Sequence, residues 1–396
     1  MIAIILLPVF LAGHGLLVHW LFKWLRSIHT VFKIKLVVGM IMAVYTYLIL
    51  DMYIAVFIPH GKLEHISVLI GSYWLGITIY AVMLMAVALL IRFILLHSKF
   101  KDSWWINDKR VFIVNGILYI IAIAAIMIGG HINAKIIRTV DYEVHIDKPG
   151  GNFSELNVVL IADLHMGHNI QADMMEQMVT KVNECNPDVI VIGGDIFDND
   201  YDALQDPEAL KAALKKLKSK YGIYAVYGNH DVAETIINGF TFPSKNKKES
   251  DLRMDEFVKE CNFELLRDES VLIDDSVYIF GRPDEERPGR GVEERMEIGE
   301  IMQTMDNDKP IIILEHEPKF LKEIGLAGAD LHLAGHTHDG QFFPMNITDD
   351  FVFDNCFGEK EFEGMTSIVT AGVGLYGPYI RVCTEPDISN IHITFN

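Results

Sequence analysis

The sequence predicts two parts of different class: an N-terminal four-helix transmembrane region, then an α/β domain built on mostly parallel sheet. Three observations carry this reading. Four apolar stretches fill residues 1–131, the charge balance reverses after them, and from about residue 155 short apolar strands alternate with amphipathic helices.

The reversal of charge is large. Residues 1–140 hold 12 Lys+Arg against 4 Asp+Glu, a balance of +8, whereas residues 141–396 hold 22 against 49, a balance of −27. Parts so different belong in different solvents.

The apolar stretches run over residues 1–22, 36–58, 66–96 and 111–130. Each has roughly the 20 residues a helix needs to cross about 30 Å of hydrocarbon. The first has no basic n-region and is followed by further apolar stretches rather than a cleavage site, so it reads as a span and not as a signal peptide. Lys23, Arg26, Lys33 and Lys35 lie in the first connection, and Lys99, Lys101, Lys109 and Arg110, flanked by Arg92, in the third. The second connection, 59–65, has only Lys62 set against Glu64. Positive residues stay on the cytoplasmic side, which places both termini and the acidic domain outside the cytoplasm. Lys135 and Arg138 after the fourth stretch pull the other way but are fewer.

Asp51 falls inside the second stretch, where a charge is costly and marks either a functional group or a helix contact. Trp104 and Trp105 read as interfacial anchors. Cys185, Cys261, Cys356 and Cys383 form no C-x-x-C pair, so they suggest no metal site and leave disulfide pairing open.

Residues 132–154 read as a linker and first strand, and 155–396 as the soluble domain. Residues 156–162, 189–192 and 223–227 are strands, with helices at 174–186 and 206–220 between them. A second series follows: a hairpin over 270–280 about Asp274 and Asp275, a helix at 293–305, a strand at 310–314, a helix at 319–324 and a strand at 331–334. The tail suggests strands at 367–370, 379–383 and 388–395. Two sheets face to face with helices outside account for both series.

Five of these strands end in metal-ligand residue types. The first is followed by Asp163 and His165, the second by Asp195 and Asp198, the third by Asn229, His230 and Asp231, the fourth by His316, and the fifth by Gly335-His336-Thr337-His338. Open α/β sheets place ligands at this end of their strands. Carboxylate, imidazole and carboxamide donors without thiolate suit Mn²⁺ first, with Zn²⁺ or iron as alternatives. Asp163, His165, Asp195, Asn229, His316, His336 and His338 are too many for one tetrahedral ion and fit two divalent ions sharing a carboxylate. Two ions about 3.5–4 Å apart can clamp the attacking and leaving oxygens of an in-line displacement at phosphorus and generate hydroxide near neutral pH. Gly193, Gly194, Gly228 and Gly335 allow the tight turns and close approach this needs.

The ordered series D-x-H, G-D-x-x-D, G-N-H-D, a lone His and G-H-x-H resembles the calcineurin-like metallophosphoesterase superfamily over about residues 155–396. With the spans ahead of it, the chain is similar to the membrane-bound branch, the transmembrane metallophosphoesterases and YkuE/YaeI-type phosphodiesterases. The resemblance implies a four-layer α/β/β/α sandwich. It also implies a first ion on Asp163, His165, Asp195 and His338, with Asp195 bridging to a second on Asn229, His316 and His336. His230 would then be catalytic beside the substrate phosphate, oriented by Asp198, with Asp231 bracing the loop. Asp339-Gly340-Gln341 departs from the usual Gly-Gly-Gln, and Asp339 reads as solvated. His168 and Arg381 read as surface and fold-supporting residues rather than substrate contacts.

The function expected is a membrane-anchored phosphoesterase acting on a phosphodiester, phosphomonoester or pyrophosphate bond. A membrane anchor serves a lipid-linked substrate best. A nuclease or nucleotide phosphodiesterase is the alternative, and a balance of −27 opposes long polyanions, whose affinity rests on Lys and Arg. Gly-Asp-Ile-Phe-Asp in place of Gly-Asp-x-Val-Asp-Arg-Gly disfavours a protein phosphatase. A metal-containing binding or sensor module is the alternative from another class. The loop charges predict that protease added to intact, permeability-checked cells clips within residues 141–396; full protection would refute the outward placement.

Overall fold

The computed structural model describes residues 2–232, 236–237, 240–241 and 249–396; Met1, the first residue of the first apolar stretch, lies outside them. The chain divides into two compact units, Met1–Pro59 with Ile66–Gly130, and His60–His65 with His131–Asn396.

All four apolar stretches are helical, in Ile2–Ile28, Lys35–Ala55, Lys62–Leu96 and Lys109–Asn133. Among the described residues two of these, Lys62–Leu96 and Lys109–Asn133, are long and apolar enough to cross a membrane. The first unit turns apolar side chains outward: Leu36 is 73% exposed, Met40 61% and Val44 60%. A water-soluble bundle would bury that face. Asp51 is buried and accepts a hydrogen bond from Ser67 Oγ at 2.8 Å, so it makes a helix contact.

The second unit contains β1 (Arg138–Ile146), β2 (Glu155–Ile161), β3 (Val189–Gly193), β4 (Ile223–Val226), β5 (Ile236–Ile237), β6 (Phe240–Thr241) and β7 (Glu264–Leu265). It continues with β8 (Glu269–Ile273), β9 (Val277–Gly281), β10 (Ile311–Leu314), β11 (Leu331–Ala334), β12 (Gly358–Phe362), β13 (Met365–Val369) and β14 (Asp387–Phe395). One six-stranded sheet has the order β1-β14-β2-β3-β4-β7 and a second β12-β13-β11-β10-β9-β8. Within them β2, β3 and β4 run parallel, as do β9, β10, β11 and β13, so their carboxyl ends share an edge.

The continuous apolar runs follow from burial on both faces. Val158 and Leu160 of β2 pack with Leu314 of β10 and Leu333 of β11 in a core between the sheets. Val159 and Ile161, of opposite parity, pack outward against Met175, Met178 and Phe257 on helices. The other sheet sets Ile311 and Ile313 against Ile301 and Ile324 of its own helices. Helices, sheet, sheet and helices therefore form four layers.

Several expected elements differ. The helix expected at 206–220 ends at Leu214, because Asn183 takes over the next turn: its Nδ2 donates to Lys216 O at 2.9 Å and its Oδ1 accepts from Lys218 N at 2.9 Å. The helix expected at 293–305 shrinks to Ile298–Met302, since Met296 N donates to Asp268 Oδ2 at 2.9 Å and Glu297 is extended. Residues 379–383 form only a single bridge, Val382 to Phe342, because the chain wraps around the buried Arg381 side chain. The hairpin is as expected, with Asp274 and Asp275 at φ of 47° and 56° between β8 and β9. All four cysteines are free.

Strand β1 covers β14 in parallel register from Arg138 to Ile146. It buries Val144 and Ile146 to 4% and 2% exposure. Burying such side chains stabilises by about 1.5–3 kcal/mol each, and a domain of this size shifts by about 2–4 °C per kcal/mol. A soluble chain begun at Gly150 should therefore melt about 10 °C or more below one begun at His131, measured by circular dichroism.

Candidate metal centre

The loops at the carboxyl ends of β2, β3, β4, β10 and β11 are tied together by backbone hydrogen bonds. Asp163 N donates to Gly194 O at 2.9 Å, and His165 N to Asp195 O at 3.0 Å. Asp163 at φ 53°, His165 at 43°, Asp195 at 49°, His336 at 74° and His338 at 53° all lie in the left-handed region. Such conformations cost about 1–3 kcal/mol each in residues other than Gly and concentrate at functional sites. The cost turns five side chains toward one point.

Three groups of possible donors result, each with its ligand atoms within 4.8 Å of one another. Asp163, His165 and His338 form the first, Asp195, His316 and His336 the second, and His165, Asp198 and His230 a third that shares His165 with the first. Asn229 Oδ1 joins the second group, 3.0 Å from His316 Nε2 and 3.0 Å from His336 Nδ1. Asp195 Oδ2 stands between the first two groups, 3.1 Å from His316 Nε2 and 3.7 Å from His165 Nε2. All seven expected donors are thus brought together.

The chemistry of this set fits cations. His316 Nδ1 lies 2.8 Å from Gly193 O, which can only accept, so Nδ1 carries a proton and Nε2 is the nitrogen turned into the site. Nε2 faces Asn229 Oδ1, Asp195 Oδ2 and, at 3.2 Å, His336 Nδ1. In the first group His165 Nε2 meets His338 Nε2 at 3.0 Å, while His338 Nδ1 accepts from Arg381 Nη2 at 3.3 Å. So many buried nitrogen and oxygen donor atoms gathered at one point suit a positive charge among them.

The electrostatics agree. Burial alone would raise the Asp195 carboxyl, but His316, His230 and His165 around it hold it well below the usual carboxylate range. Burial opposes protonation of His316, yet Asp195 and Asp163 push its pKa well above the ordinary value, so this point attracts positive charge. Burial and the charge of His316 bring His336 down to about 4, and burial brings His338 down to about 3 against the pull of Asp163. Neutral imidazoles are the form that binds metal.

Glycines make room. A Cβ on Gly335 would sit 2.3 Å from Asp163 Oδ2, and one on Gly228 2.3 Å from Asp195 Oδ1. Neither position tolerates a side chain without moving a carboxylate.

His230 stands beside the first two groups. Its N donates to Asp195 Oδ1 at 2.7 Å, its Nδ1 lies 3.3 Å from Asp198 Oδ1, and its ring meets His165 edge-on at 4.9 Å. Burial lowers its pKa, but Asp195 and Asp198 overrule burial and leave it raised. Asp231 accepts from Phe197 N and Gly228 N, both at 2.8 Å, and so pins two ligand loops to each other. Burial, with the charge of Asp195, pushes its carboxyl up to about 7.

The remaining expectations resolve as follows. Arg381 is fully buried and supports the fold: its guanidinium donates to the carbonyls of His338, Ala371, Gly372 and Gly374. His168 is half-buried, with Nε2 3.9 Å from Glu64 Oε1. Asp339 is not solvated as expected. It is half-buried in a cavity of about 410 Å³ with Asn133, Arg138 and Asp387, because its left-handed backbone at φ 50° turns it there, and burial raises it to about 7.

Sequence reasoning missed three residues. Glu317 Oε1 lies 3.4 Å from His336 Nε2, Tyr376 packs its ring 4.9 Å from that of His338, and Arg287 Nη1 donates to Asn229 O at 2.9 Å. Arg287 follows the carboxyl end of β9, so the strand-end rule that located the ligands could have found it.

Residues 156–340 match the family model described as calcineurin-like phosphoesterase. A transmembrane protein with metallophosphoesterase domain from Danio rerio is 28% identical over 291 residues, covering 69% of this chain and 62% of that protein. A metallophosphoesterase of Aquifex aeolicus is 27% identical over 269 residues, covering 67% of this chain and 95% of its own length. The metallophosphoesterase YkuE of Bacillus subtilis is 25% identical over 301 residues, with shares of 71% and 96%. The chain thus spans less than two thirds of the fish protein.

Substituting Gly335→Ala should displace Asp163 and lower the metal content by at least one ion per chain with far-ultraviolet circular dichroism unchanged, as read by elemental analysis after chelation and reloading. Wild-type stoichiometry in that variant would refute the close-approach argument.

Proposed function

From the premise that this chain carries a calcineurin-like phosphoesterase domain, we propose that it is a membrane-anchored phosphoesterase that hydrolyses a phosphoester or pyrophosphate bond on a lipid-linked substrate. The observation that carries this reading is the convergence of Asp195 Oδ2, Asn229 Oδ1, His316 Nε2 and His336 Nδ1 beside the Asp163, His165 and His338 group.

In this reading Asp163, His165, Asp195 and His338 hold one ion and Asn229, His316 and His336 the second, with Asp195 shared. Two divalent ions, Mn²⁺ before Zn²⁺ or iron, supply Lewis-acid polarisation of the phosphoryl group and a source of hydroxide near neutral pH. Glu317 holds His336 with Nδ1 turned into the site. The oxygen of water bonds to phosphorus as the P–O bond to the leaving group breaks in line. His230, whose pKa Asp195 and Asp198 raise against burial, gives its proton to the leaving oxygen. Asp231 keeps the loops of Asp195 and Asn229 in register without touching the substrate.

The anchoring reading has four spans, with the domain outside the cytoplasm. It is supported by two helices able to cross a membrane, by two further apolar helices at the expected positions, and by a relative named a transmembrane protein. A covalent anchor raises the local concentration of a substrate confined to the same membrane far above that of the same enzyme free in solution.

Hydrolysis of a generic phosphodiester and a generic phosphomonoester, with Mn²⁺ added, tests the reading. His230→Ala should keep both metals and lose at least about 10²-fold in kcat, in line with general acid catalysis, and Asp195→Asn should lose metal and turnover together. Unchanged turnover in His230→Ala would remove its assigned role. No metal-dependent hydrolysis of either ester by the wild type would leave a binding module.

A further inference from the structure

The loop that follows the two adjacent histidines is held at the edge of the metal centre and exposes apolar side chains. It leaves at Gln341, a buried residue whose Nε2 donates to Tyr376 O at 2.8 Å and Pro378 O at 3.1 Å. It returns at Cys356, whose carbonyl accepts from Thr337 Oγ1, the residue between His336 and His338. Asn355 Nδ2, also buried, donates to Gly358 O at 3.0 Å and Ser367 O at 3.1 Å. Within the loop the ring of Phe353 packs 5.7 Å from that of His336. The base of the loop is therefore part of the site's rim.

Its tip behaves oppositely. Phe351 is 86% exposed, Val352 72%, Ile347 51% and Phe343 38%; Phe351 is the most exposed large apolar side chain among the described residues of this unit, which also exposes Leu252 and Leu326 singly elsewhere. Phe351 and Val352, adjacent in sequence and both largely exposed on a loop anchored at both ends, mark a candidate interaction surface. From Phe342 to Gly358 the chain carries Asp349, Asp350 and Asp354 and no Lys or Arg. Charge therefore gives no attraction for a polyanionic surface, and the contact rests on apolar area.

We propose that this tip inserts into the bilayer and brings the metal centre to a phosphoester carried by a lipid. The occupant is a lipid surface because the same chain carries two helices able to cross a membrane, and because the loop starts and ends at the ligand motif itself. Lipid of low anionic charge is the preferred surface, since three carboxylates flank the insertion. The inference rests on the phosphoesterase reading and names its substrate class.

The test uses the full chain in nanodiscs of phosphatidylcholine. Phe351→Trp is compared with wild type for quenching by lipids brominated on their acyl chains. Quenching of the added emission supports insertion. Its absence overturns insertion whether or not any ester is turned over. In parallel, Phe351→Asp combined with Val352→Asp is assayed on the 4-nitrophenyl phosphodiester of dioleoylglycerol and on water-soluble bis(4-nitrophenyl) phosphate. The expected result is at least a tenfold loss of kcat/KM on the lipid diester with the soluble diester within twofold, and recovery in Phe351→Trp. Equal effects on the two diesters, or a change in the particle's protein mass that shows a subunit contact, would overturn the proposal. If the wild type hydrolyses neither diester, the phosphoesterase reading fails while the quenching still decides the loop.

Discussion

The constraint on which the second unit depends is the mutual approach of buried oxygen and nitrogen donor atoms. Asn229 Oδ1, His316 Nε2, His336 Nδ1 and Asp195 Oδ2 crowd one point, with His316 Nε2 3.0–3.2 Å from each of the others. A protein interior leaves such groups together only at a cost of several kcal/mol, in the range of about 1–3 kcal/mol for each unsatisfied group. The surrounding structure must hold them there until positive charge arrives. Left-handed backbone at five donor-bearing positions adds to the cost, and the backbone bonds between loops, with Arg381 gathering carbonyls behind His338, resist relaxation. Stability has been traded for a shaped charge-binding point, which is the pattern expected where function overrides local preference.

The two sheets share the work unequally. The first provides Asp163, His165, Asp195, Asn229 and His230, and the second His316, His336 and His338. The groups Asp163, His165, His338 and Asp195, His316, His336 each contain members from both sheets, so neither sheet holds both groups by itself. Their relative position is fixed by the core between them, where Val158, Leu160, Val191 and Val226 meet Ile279, Leu314 and Leu333. Interiors packed at crystal-like density transmit small shifts. The inter-sheet core is consequently as much a determinant of donor spacing as the ligand loops themselves.

Much of this was legible in the sequence because parallel strands buried on both faces leave continuous apolar runs, and because turns at their ends advertise themselves with Gly and polar residues. The donors stood at those ends, and type alone pointed to oxygen-and-nitrogen metal chemistry. The edge strand β1 was harder to bound. Thr139, Asp141 and Glu143 on its exposed side, with Arg138 on the other, dilute the alternation of Val144 and Ile146, and its partner β14 is some 250 residues away in sequence, as the pairing of Arg138 with Asp387 shows. Contacts of that range leave no local signature. The helix Leu252–Glu260 was missed although Asp251 caps it and Met254, Phe257 and Val258 mark its buried face, because neighbouring charges obscure the period. The extended tail near Arg381 failed for a different reason. Its apolar pattern reads as a strand, but Arg381 in its middle turns inward to the carbonyls of Ala371, Gly372 and Gly374, and the segment keeps a single bridge to Phe342.

Charge explains why the proposed function requires proximity by other means. A domain with a balance of −27 repels phosphate esters at distances up to the screening length, about 8 Å at physiological ionic strength, and long-range steering therefore works against capture. The attraction of a dinuclear site is local and is felt only once the phosphoryl group is at the rim. Confinement to a shared bilayer removes the diffusional approach through solvent, which is the part of the path where repulsion acts. An apolar tip without Lys or Arg then avoids the opposite error. A basic loop would bind anionic lipid headgroups indiscriminately, whereas Phe351 and Val352 gain from burial in hydrocarbon whatever headgroup lies above them. On the proposed reading, selection among headgroups would be left to the metal centre, which would act on the phosphoryl group and not on the lipid that carries it.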